Sequence, residues 1–211
     1  MSFITRLFRF LFSIYGFVIF LGLMFLLFPF VVIASFLGAI RGGNIIYNIC
    51  RFWADAALFC WGIRHRNIYT APKVTDHAAV FVFNHLSYMD IPVILKTFRR
   101  QPIRILGKAE MAKIPIFGFI YRKAVVMVDR SSSTARANSL SRLKASLRKN
   151  ISIIVAPEGT FNMTNKPLKD FYNGAFNAAI ETQTPIQPVI FLDAYDRMPY
   201  ETIFSLNPGR S

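Results

Sequence analysis

Residues 10–40 carry no charged side chain, while Arg6 and Arg9 precede the stretch and Arg41 follows it. A helix crosses a bilayer with about 20 apolar residues, so this run is long enough to span one. A secretory leader has an apolar core of roughly 7–15 residues and a small-residue cleavage site; this run fits neither. A buried helix of a soluble core is the plainer alternative, but uncharged stretches of this length are rare in such cores. Pro29 lacks a backbone donor and would end or kink the helix. Two geometries follow: one kinked span, or a re-entrant hairpin in one leaflet. Basic residues on both flanks leave the orientation open.

Over residues 44–63, Ile45, Ile46, Ile49, Phe52, Trp53, Ala56, Ala57 and Cys60 recur near helical spacing. Trp53 and Trp61 suit an interfacial location. The pattern predicts an amphipathic helix lying on the membrane or packing on the first helix, with a core helix of the following domain as the alternative. Beyond about Arg64 short apolar runs alternate with amphipathic stretches. Residues 78–83 (AAVFVF), 125–128, 151–155 and 185–192 read as buried strands. Asp90-Ile91-Pro92 reads as a helix start, with proline near the first helical position. Residues 133–150 read as a helix with Leu140, Leu143 and Leu147 on one face. Strands alternating with helices argue an α/β fold, a mainly parallel or mixed sheet flanked by helices and preceded by N-terminal membrane helices. The division expected is a membrane-anchoring segment over residues 1–63 and a catalytic domain over residues 64–211.

Composition narrows the class. The chain has 211 residues, is 54% hydrophobic and carries 25 Lys and Arg against 11 Asp and Glu. Its apolar content excludes disorder, and its 17% of charged residues lies below the usual quarter or so. Residues 96–149 hold 14 of the basic residues against Glu110 and Asp129 alone. Such a band is either a solvated face or a surface held against anionic headgroups or a phosphorylated substrate. Nucleic acid is not expected as a partner, since no nucleic-acid-binding signature is present. Cys50 and Cys60, ten residues apart on one helix, lie about 15 Å apart along its axis, too far for a disulfide. Reduced thiols facing the cytoplasm are expected.

Of the three histidines, His65, His77 and His85, the last follows a strand directly, at the carboxyl end where open α/β sheets build their sites. Asp90 stands five residues on. A continuous helix would turn the two side chains about 140° apart, so they meet only across a turn, which Ser87 and the helix start at Asp90 supply. A carboxylate on one imidazole nitrogen fixes the tautomer and makes the other nitrogen a better base. A histidine capping a helix is the structural alternative. Glu158-Gly159-Thr160, also just past a strand, suits polar-substrate binding or a plain turn. Arg130, after Asp129, suits a phosphate fork, a surface position or an ion pair.

The order and spacing of these groups resemble the membrane-bound glycerolipid acyltransferases, above all the 1-acylglycerol-3-phosphate acyltransferases of the PlsC type. Asn84-His85-Leu86-Ser87-Tyr88-Met89-Asp90 is similar to that family's first block, Asn-His-x4-Asp. Gly107-Lys108-Ala109-Glu110-Met111, then Lys113-Ile114-Pro115-Ile116-Phe117-Gly118 and Val128-Asp129-Arg130, resemble the second. Pro157-Glu158-Gly159-Thr160-Phe161 resembles the third, and Thr184-Pro185-Ile186-Gln187-Pro188-Val189 the fourth, with Phe171-Tyr172-Asn173-Gly174-Ala175 between them. The resemblance covers residue 44 to the end. It implies acyl transfer from acyl-CoA or acyl carrier protein to a lysophosphatidic acid hydroxyl, giving phosphatidic acid. It further implies His85 as general base, Asp90 as its orienting acid and Lys108 at the oxyanion. Asn84, Arg130, Glu158, Gly159 and Thr160 would lie at the substrate. It implies no metal and no cofactor beyond the acyl donor, membrane lipids as partners, and a catalytic domain on the cytoplasmic face.

Two departures qualify the resemblance. Phe161 stands where the family carries arginine, which opens another lysophospholipid or a lyso-aminolipid as acceptor. The chain ends at Ser211, where family members continue with another strand or so, as in a short member or an incomplete reading frame. A catalytically weak lipid-binding module on the same fold is the alternative from another class. A membrane-anchored hydrolase is disfavoured by the lack of a Gly-x-Ser-x-Gly elbow.

Overall fold

The computed structural model describes residues 3–70, 72, 76–99, 101–128, 132–164 and 166–210. In chain order the elements are α1 (Phe3–Ser35), α2 (Gly43–Cys60), β1 (Ile63–Arg64), β2 (Val80–Phe83), α3 (Asp90–Thr97), β3 (Ile103–Lys108) and α4 (Phe117–Ala124). They continue with β4 (Val125–Val128), α5 (Ser133–Arg148), β5 (Ser152–Val155), α6 (Gly174–Thr182), β6 (Ile186–Val189), α7 (Ala194–Arg197) and β7 (Gly209–Arg210). Spacing located β2, β4, β5, β6, α2, α3 and α5. It left out β3, where Arg104 interrupts the apolar run, and the short elements β1, α4, α6, α7 and β7.

The helix α1 runs through Pro29 instead of ending there. The chain reverses later, at a turn of π-helix over Gly38–Gly42, where Gly38 adopts a φ of +80°, open to glycine at no steric cost. Helix α2 then packs back along α1. Trp61 Nε1 donates to the Gly16 carbonyl at 3.1 Å and Trp53 Nε1 to the Phe20 carbonyl at 3.5 Å. The two tryptophans expected as interfacial anchors therefore hold the helix pair together, and Trp61 is buried. The opposite side of α2 enters the core. The Tyr47 hydroxyl donates to the Ala124 carbonyl at 2.7 Å and accepts from the Ile105 amide at 2.9 Å, fastening α2 to the sheet.

Five strands form one sheet in the order β4-β3-β5-β2-β6, and each pairing is parallel, which narrows the mainly parallel or mixed expectation to parallel. Alternation sorts each strand between two faces. Phe81, Phe83, Ile103, Ile105 and Ile154 face a core shared with Val31, Ala34, Ile46, Tyr47, Ala54 and Ala57 of the first two helices. Val80, Ile153 and Val155 face a second core with Leu143 and Leu147 of α5 and Ala175, Ala178 and Ala179 of α6. Strands covered on both faces read as continuous apolar runs, as residues 78–83 do, and as 151–155 do but for Ser152. Because all five strands point one way, their carboxyl ends share one edge, and the chemistry-bearing residues gather there.

Candidate active site

His85 lies two residues past the end of β2. Its Nδ1 meets Asp90 Oδ2 at 2.6 Å. The turn that brings them together is itself hydrogen-bonded. The amides of Leu86 and Ser87 both donate to Asp90 Oδ2 at 3.2 Å, and the Asp90 amide donates to the Ser87 carbonyl. Ser87 Oγ accepts from the Met89 amide at 2.9 Å and donates to the Met198 carbonyl at 2.6 Å. Ser87 is thus spent on the turn and is fully buried. The Asp90 side chain is 0% exposed and that of His85 24%, so the imidazole alone of the pair opens outward. Burial pushes the Asp90 carboxyl above the ordinary carboxylate range, while the bonds from His85, Ser87 and Leu86 pull it back in part. An ionised partner accepts from Nδ1–H, which leaves Nε2 as the basic nitrogen.

The Asn84 side chain is engaged by the backbone. Its Nδ2 donates to the Phe191 carbonyl at 3.0 Å and its Oδ1 accepts from the Phe191 amide at 2.8 Å. The residue ties β2 to the segment after β6, holding the base in place from behind.

Just past β5 the chain turns through Gly159, whose φ of +72° is left-handed and whose amide donates to the Ala156 carbonyl. This turn sends Glu158 inward and Phe161 toward His85. Glu158 is 1% exposed. Its Oε2 accepts from the Lys169 amide at 3.2 Å, and its Oε1 has no hydrogen-bond partner among the described residues. Lys169 Nζ donates to Thr160 Oγ1 at 2.7 Å. The Phe161 ring lies 4.2 Å from the His85 ring, centroid to centroid, and also meets Tyr88 at 5.1 Å and Tyr200 at 6.0 Å. The Asn162 amide donates to the His85 carbonyl at 2.9 Å, so the Glu158 turn is fastened directly to the histidine.

Lys108 ends β3 at an exposed position of the same edge. Strand β5 separates β3 from β2, which sets the two strands about 10 Å apart. The structure therefore brings His85, Asp90 and Phe161 together, buries Glu158 and sets Thr160 on the adjoining turn, and places Lys108 farther along the rim. Arg130 and Asp129 lie outside the described residues. Sequence spacing missed Lys169, Asn162, Tyr200 and the 198–199 segment that closes over Ser87 through the Ser87–Pro199 bridge. Asn162, 2% exposed, is a buried polar residue in a loop and carries no pattern of its own.

A base–acid pair at the carboxyl edge of a parallel sheet, with a glycine turn against it, defines a class. A family model described as Acyltransferase matches residues 62–192, and the chain belongs to that family. A Cocos nucifera protein named 1-acyl-sn-glycerol-3-phosphate acyltransferase is 28% identical over 153 residues, covering 72% of this chain and 47% of the relative. A Haemophilus influenzae protein of the same name is 32% identical over 123 residues, 57% of this chain and 50% of the relative. The chain thus spans about half the length of these curated relatives. The crystal structure of the 1-acyl-sn-glycerophosphate (LPA) acyltransferase PlsC from Thermotoga maritima superposes with a TM-score of 0.70 at 25% identity, over 100% of this chain and 84% of that one.

Proposed function

We propose that this protein transfers a fatty acyl group from an acyl thioester, acyl-CoA or acyl carrier protein, to the free hydroxyl of 1-acyl-sn-glycerol-3-phosphate, giving phosphatidic acid. The observation that carries the reading is the 2.6 Å contact between a half-open imidazole and a wholly buried carboxylate at the sheet edge. His85 Nε2 takes the proton of the acceptor hydroxyl as that oxygen attacks the thioester carbonyl. Asp90 fixes the ring and faces the imidazolium as it forms. The tetrahedral adduct collapses, the C–S bond breaks, and the thiolate leaves and is protonated from His85. The products are an ester and a free thiol. A thiolate leaves readily, so the transfer needs neither an acyl-enzyme nor a metal, and the acyl donor is the one cosubstrate. Lys108, or a backbone amide nearer His85, offers a donor to the developing oxyanion. Glu158, Gly159 and Thr160, together with Arg130, serve the glycerol-phosphate end.

Within residues 1–63, α1 acts as the anchor and α2 joins it to the catalytic unit of residues 64–211, whose core α2 shares. The helix α1 is long and apolar enough to cross a membrane, yet Ser13, Gly16, Met24, Val31 and Ala34 face the protein along most of its length. Upright, it would carry α2 with Arg51 and Asp55 into the hydrocarbon, at several kcal/mol per charge. An in-plane position leaves the exposed apolar side, including Phe8, Leu11, Phe25, Phe30 and Ile33, in lipid. The basic band favours the anionic cytoplasmic leaflet. The test is acyl transfer by detergent-solubilised protein from labelled acyl-CoA to a panel of lysolipids. Labelled phosphatidic acid in preference to other products is expected. Product from a different lysolipid alone would overturn the acceptor, and lipid binding without turnover would replace the enzyme by a binding module.

A further inference from the structure

Beside His85 the Glu158 turn holds a cation that no sequence block singles out. The Lys169 side chain is half-buried and its ammonium is fastened to Thr160 Oγ1 at 2.7 Å. Its backbone amide holds Glu158 Oε2 at 3.2 Å. Among the described residues no carboxylate lies within ion-pair distance of that ammonium, although Lys96 and Lys144 both have such partners. An ammonium with no carboxylate partner at such a position is available to an anion. The position after Thr160 contributes no charge, because Phe161 turns its ring onto His85, Tyr88 and Tyr200.

We propose that Lys169 binds the phosphate of the acceptor lysolipid, with Thr160 as the hook that holds its ammonium at the site. This rests on the acyl-transfer reading above and assigns the cation within it. An ammonium leaves two N–H donors beyond the one given to Thr160, enough to meet two phosphate oxygens. Phosphate reaches this site from two sources, the lysolipid and the acyl-CoA. In the lysolipid only a short glycerol segment separates the phosphate from the reacting hydroxyl. In acyl-CoA the whole pantetheine arm separates the phosphates from the thioester. Thr160 adjoins Phe161, whose ring touches the base itself, so a ligand group at Lys169 lies a short segment from His85 and matches the lysolipid.

The test is a kinetic split in the full-length protein. Lys169→Ala removes the ammonium and keeps the amide that holds Glu158. It should raise KM for lysophosphatidic acid about tenfold or more, with KM for acyl-CoA and kcat at saturating acceptor unchanged. Thr160→Val leaves the ammonium but unhooks it and should give a smaller rise of the same kind. In the Lys169→Ala background, Phe161→Arg should recover part of the lost affinity. A rise in KM for acyl-CoA alone would assign Lys169 to the donor and overturn the proposal. A fall in kcat with both KM values unchanged would make Lys169 a structural tie and overturn it as well. If the unmodified protein forms no phosphatidic acid, the acyl-transfer reading fails first, which separates the two failures.

Discussion

The His85–Asp90 corner and the Glu158–Lys169 turn sit against each other at one sheet edge, and each buries a carboxylate with one unpartnered oxygen, yet they differ in how many hydrogen bonds hold them. In the corner, Asp90 Oδ2 takes three donors, Ser87 is locked between two backbone groups, and Asn84 clamps Phe191 from both sides. The other carboxylate oxygen, Asp90 Oδ1, is buried without a hydrogen-bond partner among the described residues. In the turn, one oxygen of the buried Glu158 has no protein partner among the described residues, and the Lys169 ammonium hangs on a single neutral hydroxyl. The first arrangement fixes the direction in which a base points, which chemistry requires. The second leaves donor and acceptor capacity open, which binding requires. One fold edge thus holds its reactive pair by several hydrogen bonds and its Glu158–Lys169 turn by few.

The largest effect should come from breaking the corner. His85→Ala should cost turnover by roughly 10²–10⁴-fold, the usual reach of general-base catalysis, with Tm and membrane attachment little changed. Asp90→Asn should cost less, on the order of 10²-fold in kcat, with KM for the acceptor unchanged. Its stability signature has the opposite sign. Burial holds the folded Asp90 carboxyl above its ordinary value. Its contribution to stability is therefore fully present below the unfolded pKa of about 3.9 and is lost as pH rises through the folded value. Thermal melts should show Asp90→Asn at least as stable as the parent near neutral pH, with the parent gaining on it as the pH falls. A parent that loses ground on acidification would contradict the burial argument.

A smaller effect sharpens the comparison where the two regions touch. The Phe161 ring offers an aromatic face to the imidazolium that forms on His85, worth about 0.5–1 kcal/mol. Phe161→Leu should therefore lower kcat a few-fold and leave both KM values alone, while Phe161→Tyr should retain the parent rate. Smallest of all, and far from the site, Trp61→Phe removes the bond to the Gly16 carbonyl. It should cost about 1 kcal/mol, read as a modest fall in Tm with kcat intact.

How far the sequence reveals these regions follows from the range of their contacts. His85 and Asp90 are legible because a strand end, a five-residue spacing and a helix start lie within one short segment. The β4 strand is legible to the residue for the same reason. Helix α2 shows its amphipathic period, but a period does not say what covers each side. The packing of Ile46, Ala54 and Ala57 on the sheet, and the Tyr47 bonds to Ala124 and Ile105, 77 and 58 residues away, place it against the core. The role of Asn84 likewise depends on Phe191, 107 residues on. Phe161 reads from sequence as a missing arginine. In three dimensions it is a ring packed on the base. Lys169 carries no signal at all, since its meaning comes from the Thr160 hydroxyl nine residues earlier in a loop without period.

The central claim is direct transfer at His85, with no acyl group resting on the protein. The most direct test follows one labelled acyl chain. The protein is given labelled acyl-CoA first alone and then with lysophosphatidic acid, and its intact mass is recorded at both stages. The account predicts an unmodified protein throughout and label passing to phosphatidic acid only once the acceptor is present. An acylated protein formed before the acceptor is added, on Ser87, Cys50, Cys60 or any other side chain, and discharged by it, would contradict the account.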